Sequence, residues 1–392
     1  MNKRIFTIAD CFSFIKNGAN IKQDKEKRGY PITRIETTSN NVFNRDKVGY
    51  AGIEDITPYQ DYVLEDGDLL MSHINSLPYL GRVVYYDRRQ DEVIIHGMNL
   101  LRLKAIKTRL RPKYATFLFS SIRFKNKILT IAKKSVNQAS FSINDLKKVC
   151  IELPTVEEQD NIVDKLVGIQ KIIQLRNTQL MKLDELVKCR FVELFGDPLA
   201  PKAKWKTTSF GSEFEIFSGG TPSTSVSEYW DNGTIPWIGS NMCQDVILSS
   251  TDGKYITEEG FNKSSAKWAH AGYVIVALVG ATIGKTALLT ISTTTNQNVA
   301  SVNVPGNTNY TPEYVYMLMR FLYAKFMELG NGGFKMANLG FIRQLPLPSP
   351  PIDIQREYSD FMNRIDKLRF EIQASLDKTQ QLFDSLMQEY FG

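Results

Sequence analysis

Cysteine and histidine are scarce. The 392 residues hold four cysteines, Cys11, Cys150, Cys189 and Cys243, and three histidines, His73, His96 and His270. None falls at the close spacing a zinc site needs, and no Ser-His-Asp or Cys-His nucleophile system has a readable frame. The expectation is a reduced protein with small buried thiols and no metal. Long apolar runs are also missing, since the best, residues 273–283, is shorter than the roughly 18 residues of a membrane span and is broken by Gly280 and Thr282. Asp10 interrupts the basic N-terminal stretch and no small-residue cleavage site follows. No secretory signal is therefore expected, and a cytoplasmic location is.

Cofactor motifs are lacking too. No GxGxxG follows a strand-like run, and the Asn-Pro-Pro-aromatic element with which amino-methyltransferases clasp a flipped base does not occur. Residues 280–285, GATIGK, imitate a phosphate-binding loop, but three residues separate the glycines where four are required. The following ALLTIS reads as a strand, not as the helix whose N-terminus would face phosphates.

What is present is ordinary globular material. Apolar residues make up 43% and charged residues 23%, and the length predicts two or three domains. The net charge of +6 is unevenly spread, because residues 1–150 carry 26 Lys and Arg against 15 Asp and Glu. A basic first part beside neutral or acidic remaining parts suits a polyanion, nucleic acid first of all.

The strongest signal is duplication. CRFVELFG ends at Gly196 and SLMQEYFG at Gly392, and the same offset pairs Gln159 with Gln355, Asp164 with Asp360, Ile169 with Ile365 and Leu186 with Leu382. Upstream, Arg111-Pro112-Lys113-Tyr114 answers Thr311-Pro312-Glu313-Tyr314, and residues 67–86 answer residues 271–290. Each half ends in a heptad seam: Ile162, Leu166, Ile169, Ile173, Leu180, Leu183 and Val187 in the first, Met362, Ile365, Ile372, Leu376, Phe383 and Leu386 in the second. Thr155 and Glu158 stand at capping-box spacing before the first, Gly196 and Pro198 close it, and Asp353 is the expected cap of the second. A helix over about 158–193 would be ~54 Å long, and two such helices can bury their stripes against each other. Run antiparallel, they would relate the repeated parts by an approximate two-fold axis.

Groups suited to base edges gather in predicted loops: His73, Asn75, Ser76, Tyr79 and Arg82; Asn137, Gln138 and Ser140; Asn296 and Gln297; Lys335 and Asn338. Lys285 and Thr282 in the Gly-rich loop and Thr221 and Ser223 near Gly219-Gly220 join them as DNA-contact candidates, although residues 219–223 most simply make a turn and Trp237 most simply fills a core.

Taken in order along a duplicated chain, LPTVEEQ (153–159), FVELFGDP (191–198), SGGTPS (218–223), IPWIGS (235–240) and GATIGK (280–285) resemble the specificity subunit of type I DNA restriction-modification enzymes, over nearly the whole length. The first half departs from that pattern with Asn17-Gly18-Ala19-Asn20 and the second with Ile354-Gln355-Arg356. The resemblance implies an α+β chain of two target-recognition domains, 1–152 and 197–347, with spacer helices at 153–196 and 348–392 forming an antiparallel intramolecular coiled coil with pseudo-two-fold symmetry. It implies no active site and no cofactor in this chain, which would direct adenine methylation or DNA cleavage by partners at an asymmetric bipartite target. Two methyltransferase subunits would bring S-adenosylmethionine, and two motor-nuclease subunits would bring ATP and Mg dependence. A motor-less methylation system is the neighbouring alternative. A coiled-coil scaffold that touches no nucleic acid is the alternative from another class, and an RNA binder ranks behind both.

Overall fold

The computed structural model describes residues 3–136, 138–200, 204–329 and 336–392. The chain divides into two compact units, Met1–Arg176 with Ser375–Gly392, and Asn177–Ala374. Asn137 and Lys335 lie outside the described residues.

In the first unit, strand Arg4–Thr7 pairs antiparallel with Cys150–Leu153, closing the domain's two ends on each other. Between them, strands Phe12–Asn17, Leu100–Ala105, Leu69–Ser72 and Val83–Tyr85 form an antiparallel sheet in that spatial order. Leu69 and Met71 stand opposite Leu103 and Leu101 and belong to the main core, together with Tyr114, Phe119 and Phe124 from helices Pro112–Ser120 and Ile122–Ile131. Leu70, Val84 and Leu100 point the other way, into a second cluster with Phe43 and Tyr86. A sheet covered on both faces needs apolar residues at consecutive positions, which is why LLMS reads as an unbroken run instead of alternating.

The second unit repeats this plan. Thr207–Ser209 pairs with Pro346–Pro348, and the main sheet runs Ile216–Ser218, Val299–Val302, Val274–Ala277, Thr286–Leu289, with Val246–Leu248 added in parallel at one edge. Pro112 and Pro312 each occupy the first turn of a helix, where a missing N–H costs nothing. Gly49–Tyr50 and Pro31–Ile32, with single bridges from Ile32 to Ile95 and from Ile95 to Val63, are the first unit's reduced counterpart of a further four-stranded sheet here, Tyr255–Ile256, Ile235–Ile238, Thr293–Thr295 and Trp268–Ala269. Trp237 fills a small core there, its Nε1–H donating to Gly220 O at 2.9 Å.

The two long helices are Val156–Phe195 and Ile352–Phe391, each slightly longer than the heptads alone predict. Thr155 and Glu158 form the expected capping box, with the Thr155 N–H reaching the Glu158 carboxylate at 3.0 Å and the Glu158 N–H reaching Thr155 Oγ1 at 3.3 Å. Gly196 ends the first helix at φ +83°, a left-handed conformation glycine takes without strain. Asp353 does not cap the second helix: that helix begins at Ile352, which places Asp353 within its first turn, exposed and 3.4 Å from Arg356. Thiols divide as well. Cys11 and Cys243 are buried, burial pushing the Cys11 thiol up to about 11, whereas Cys150 and Cys189 are exposed, so buried thiols describe only two of the four. Among the described residues no helix is long and apolar enough to cross a membrane.

Within each unit the long helices meet. In the first, Ile162 and Leu166 are buried in one core with Tyr390 and Phe391, and Phe383 and Leu386 pack at its edge. In the second, Val187 is buried in the same core as Met362 and Ile365, with Leu183 at its edge. There Tyr358 stands 5.4 Å from the Phe191 ring and 5.5 Å from Phe195, Arg190 pairs with Glu357, and Arg369 reaches Asp184 at 2.7 Å. Early residues of one helix thus face late residues of the other, the antiparallel sense. Ile372 is buried, and Ile169, Ile173, Leu180 and Leu376 are half-buried. Burying a ring such as Phe191 contributes about 1.5–3 kcal/mol.

Candidate nucleic-acid interface

The candidate side chains fall into two constellations, and the duplication places each constellation in both units. The first constellation of the first unit is a small sheet. Ile74–Asn75 pairs with Ala139–Ser140, which pairs with Lys133–Lys134. Residues directly opposite share a face, so Ile74, Ser140 and Lys133 align on one side and Asn75, Ala139 and Lys134 on the other. Two loops far apart in sequence are thereby joined. The hairpin is closed by the Ser135 N–H donating to Gln138 O at 2.8 Å, and Val136 at its tip is 99% exposed. Beside it, Ser76 opens a short turn, Tyr79 is exposed, and the Arg82 guanidinium lies 4.4 Å over the Tyr79 ring.

His73 is withdrawn from this surface. It is buried with Nδ1 lacking a hydrogen-bond partner, its ring edge-on to Phe141, and burial pulls its pKa below the ordinary histidine value. A side chain so placed presents nothing to a base edge without a rearrangement.

The equivalent place in the second unit holds Thr282, Lys285 and Asn338. Met336 bridges to Val279, and the Ala337 N–H donates to Leu278 O at 2.8 Å, as Phe141 does to His73 O at 3.2 Å in the first unit. Here the candidates have local work. Lys285 Nζ donates to Asp245 Oδ2 at 2.7 Å and lies over the Tyr323 ring, and Asn338 Oδ1 accepts the Phe341 N–H at 2.8 Å as a helix cap. Thr282 O accepts the Lys285 N–H at 2.8 Å, closing the Gly-rich turn, which leads into strand Thr286–Leu289.

The other constellation is centred on the Gly-Gly segment. The Gly220 N–H donates to Thr295 O at 2.9 Å, and a Cβ on Gly219 would sit 1.9 Å from that same carbonyl. Close approach of two backbones, not a turn, is what requires glycine here. The approach brings Thr221 to Gln297, hydroxyl to side-chain oxygen at 2.5 Å. Asn296 Oδ1 accepts the Asn298 N–H at 3.0 Å, and Ser223 meets Ser225 at 2.8 Å.

Asn17-Gly18-Ala19-Asn20 keeps the same device in the first unit despite its different letters. The Ala19 N–H donates to His96 O at 2.7 Å, and a Cβ on Gly18 would lie 2.2 Å from that carbonyl. His96 therefore answers Thr295, and the exposed Asn20, Met98 and Asn99 hold in the first unit the positions that Thr221, Gln297 and Asn298 hold in the second. Sequence reasoning missed these three because no letters match; the signal available was a Gly followed by a small residue just after the sheet's first strand. It also passed over Lys133 and Lys134, both exposed, for want of a pairing register.

The sequence model described as the type I restriction modification DNA specificity domain matches residues 2–185 and again 202–382. The chain is 28% identical over 386 residues to a putative type I restriction enzyme MjaX specificity subunit from Methanocaldococcus jannaschii, covering 92% of this chain and 86% of that one. Among solved structures it is similar to the S subunit of a type I restriction-modification system from M. genitalium, with a TM-score of 0.61 at 15% identity over 100% of this chain and 96% of the other. A chain solved to describe complex assembly and conformational transition of the type I R-M system gives 0.59, also at 15% identity, over 99% and 97%.

Proposed function

The chain belongs to the type I restriction-modification DNA specificity family, as a non-catalytic subunit that recognises DNA sequence alongside partner subunits, and on that premise we propose that it reads an asymmetric bipartite target. The observation that carries this reading is the repetition of one architecture with different side chains at equivalent places. Thr221 and Gln297 stand in the second unit where Asn20, Met98 and Asn99 stand in the first. A shared frame with unlike reading groups recognises unlike half-sites.

Reading comes from the segments around 17–20, 96–99, 76–82 and 133–140 in the first unit and around 221–223 and 296–297 in the second. Exposed lysines of the first unit hold the phosphate backbone. The helical run between the readers sets the unread gap, and joining two weak readers strengthens binding only at the matching gap. Adenine methylation would be performed by two methyltransferase subunits with S-adenosylmethionine, and cleavage by two motor-nuclease subunits with ATP and Mg; this chain supplies the address. Methylome sequencing of cells carrying the chain with its partners tests the reading. Two different half-sites separated by a fixed gap are expected, and a single contiguous motif overturns it.

A further inference from the structure

Two glutamines 196 positions apart make the same three hydrogen bonds. Gln159, fully buried, accepts the Arg111 N–H on Oε1 at 2.9 Å and donates from Nε2 to Arg109 O at 2.8 Å and Pro154 O at 3.1 Å. Gln355, also fully buried, accepts the Thr311 N–H at 3.0 Å and donates to Asn309 O at 3.0 Å and Pro350 O at 2.9 Å. In each unit one amide, in the first turns of a long helix, binds three backbone groups. One is the carbonyl just before that helix. The other two belong to the segment that enters the domain's own helix, at Pro112 or Pro312.

A primary amide is suited to this task because it offers an acceptor and two donors in one plane. Glutamate lacks the donors, and methionine lacks both. A second tie reinforces each joint: the Arg111 guanidinium grips Asp160 at 2.8 Å, and Ser359 Oγ donates to the Glu313 carboxylate at 2.8 Å. The residues of the second tie differ between units, whereas the glutamine and its pattern of partners do not.

We infer that Gln159 and Gln355 are positioning residues that fix the direction in which each reading domain leaves its long helix, and through that direction set how strictly the gap is enforced. The inference rests on the bipartite reading proposed above. Gln159 touches no reading group; its three partners are backbone atoms, so its loss leaves the loop side chains as they were. With the joint loosened, the first domain swings on its helix, and targets one base pair longer or shorter become acceptable.

The test uses the full chain assembled with its methyltransferase partner, as wild type, Gln159→Met and Gln159→Glu. Hydrogen exchange of the full chain reads the joint itself. In Q159M the Arg111 amide is expected to exchange about ten-fold faster, with the core strands of the first unit as protected as before. In Q159E the Arg111 amide keeps its acceptor and much of its protection. Methylation of DNAs with the gap varied by single base pairs reads the consequence. Wild type is expected to use one gap, Q159M to use its neighbours within about ten-fold of the original, and both half-site sequences to stay unchanged. Faster exchange throughout the first unit with an unaltered gap would make Gln159 an ordinary fold-holding residue and overturn the inference, as would an unchanged Arg111 amide. A wild type indifferent to the gap would instead bring down the bipartite reading on which the inference stands.

Discussion

Thr221 Oγ1 donates to Gln297 Oε1 at 2.5 Å, joining two loops 76 positions apart. The bond occupies one lone pair of the Gln297 amide oxygen, which leaves the NH2 of this exposed side chain as its main recognition group. An amide held so favours a base edge rich in acceptors over the adenine edge that wants donor and acceptor together. Replacing Thr221 with Val keeps the shape and frees the amide. Base preference at one position of the second half-site should then relax by about 1–3 kcal/mol, roughly five- to 150-fold. Methylation of targets randomised in both half-sites measures it, and equal relaxation in the two halves would contradict the assignment.

Much of the frame was legible in the chain's letters, and the reasons are physical. A seam such as Ile162, Leu166, Ile169 repeats at the helical period whatever it packs against, so its face is readable before its partner is known. The aromatic anchors Phe191 and Phe195 were visible only within the similar endings, and Tyr358, near the start of its helix, was not visible at all, because a ring cluster has no period. Loop chemistry was harder. Asn338 and Lys285 carry the right groups for base reading, yet a cap and an ion pair use those same groups, and only the fold decides between them. Gln159 and Gln355 stood out as a matched pair without a role, since their partners are backbone atoms, which every sequence has.

His96 sets a pH dependence. Its ring is buried with Nε2 2.8 Å from Leu100 O, and burial pulls its pKa down to about 4, the Leu100 carbonyl opposing and the charges of Arg102 and His73 adding slightly. A depressed histidine means that the unfolded chain binds the proton more tightly, so stability is complete above the ordinary value of 6.5 and falls as pH drops toward 4. Between about pH 7 and pH 5 this amounts to about 2 kcal/mol. Urea unfolding at the two pH values should show the first unit weakening by that amount. His96→Gln, which retains a donor for the Leu100 carbonyl and does not titrate, should remove most of the difference; the same difference in the variant would assign it to other groups.

Lys133 and Lys134 carry the last prediction. Both are exposed on the outer strand of the hairpin, and neither makes an ion pair with a carboxylate among the described residues. Lys285 and Arg123, by contrast, are tied to Asp245 and Glu152. A lysine already neutralised by a carboxylate releases few counterions when a phosphate approaches, whereas an unengaged one releases nearly a full ion. The double variant Lys133→Ala, Lys134→Ala should therefore lower the slope of log affinity against log salt by about 2, and weaken target and non-target DNA alike. Lys285→Ala should leave the slope almost unchanged. Titrating the assembled complex with DNA between about 50 and 200 mM salt gives both slopes. Were the double variant to keep the wild-type slope, the hairpin would lie off the DNA backbone, and the positive balance of residues 1–150 would have to act through other lysines or be no more than a solvated surface.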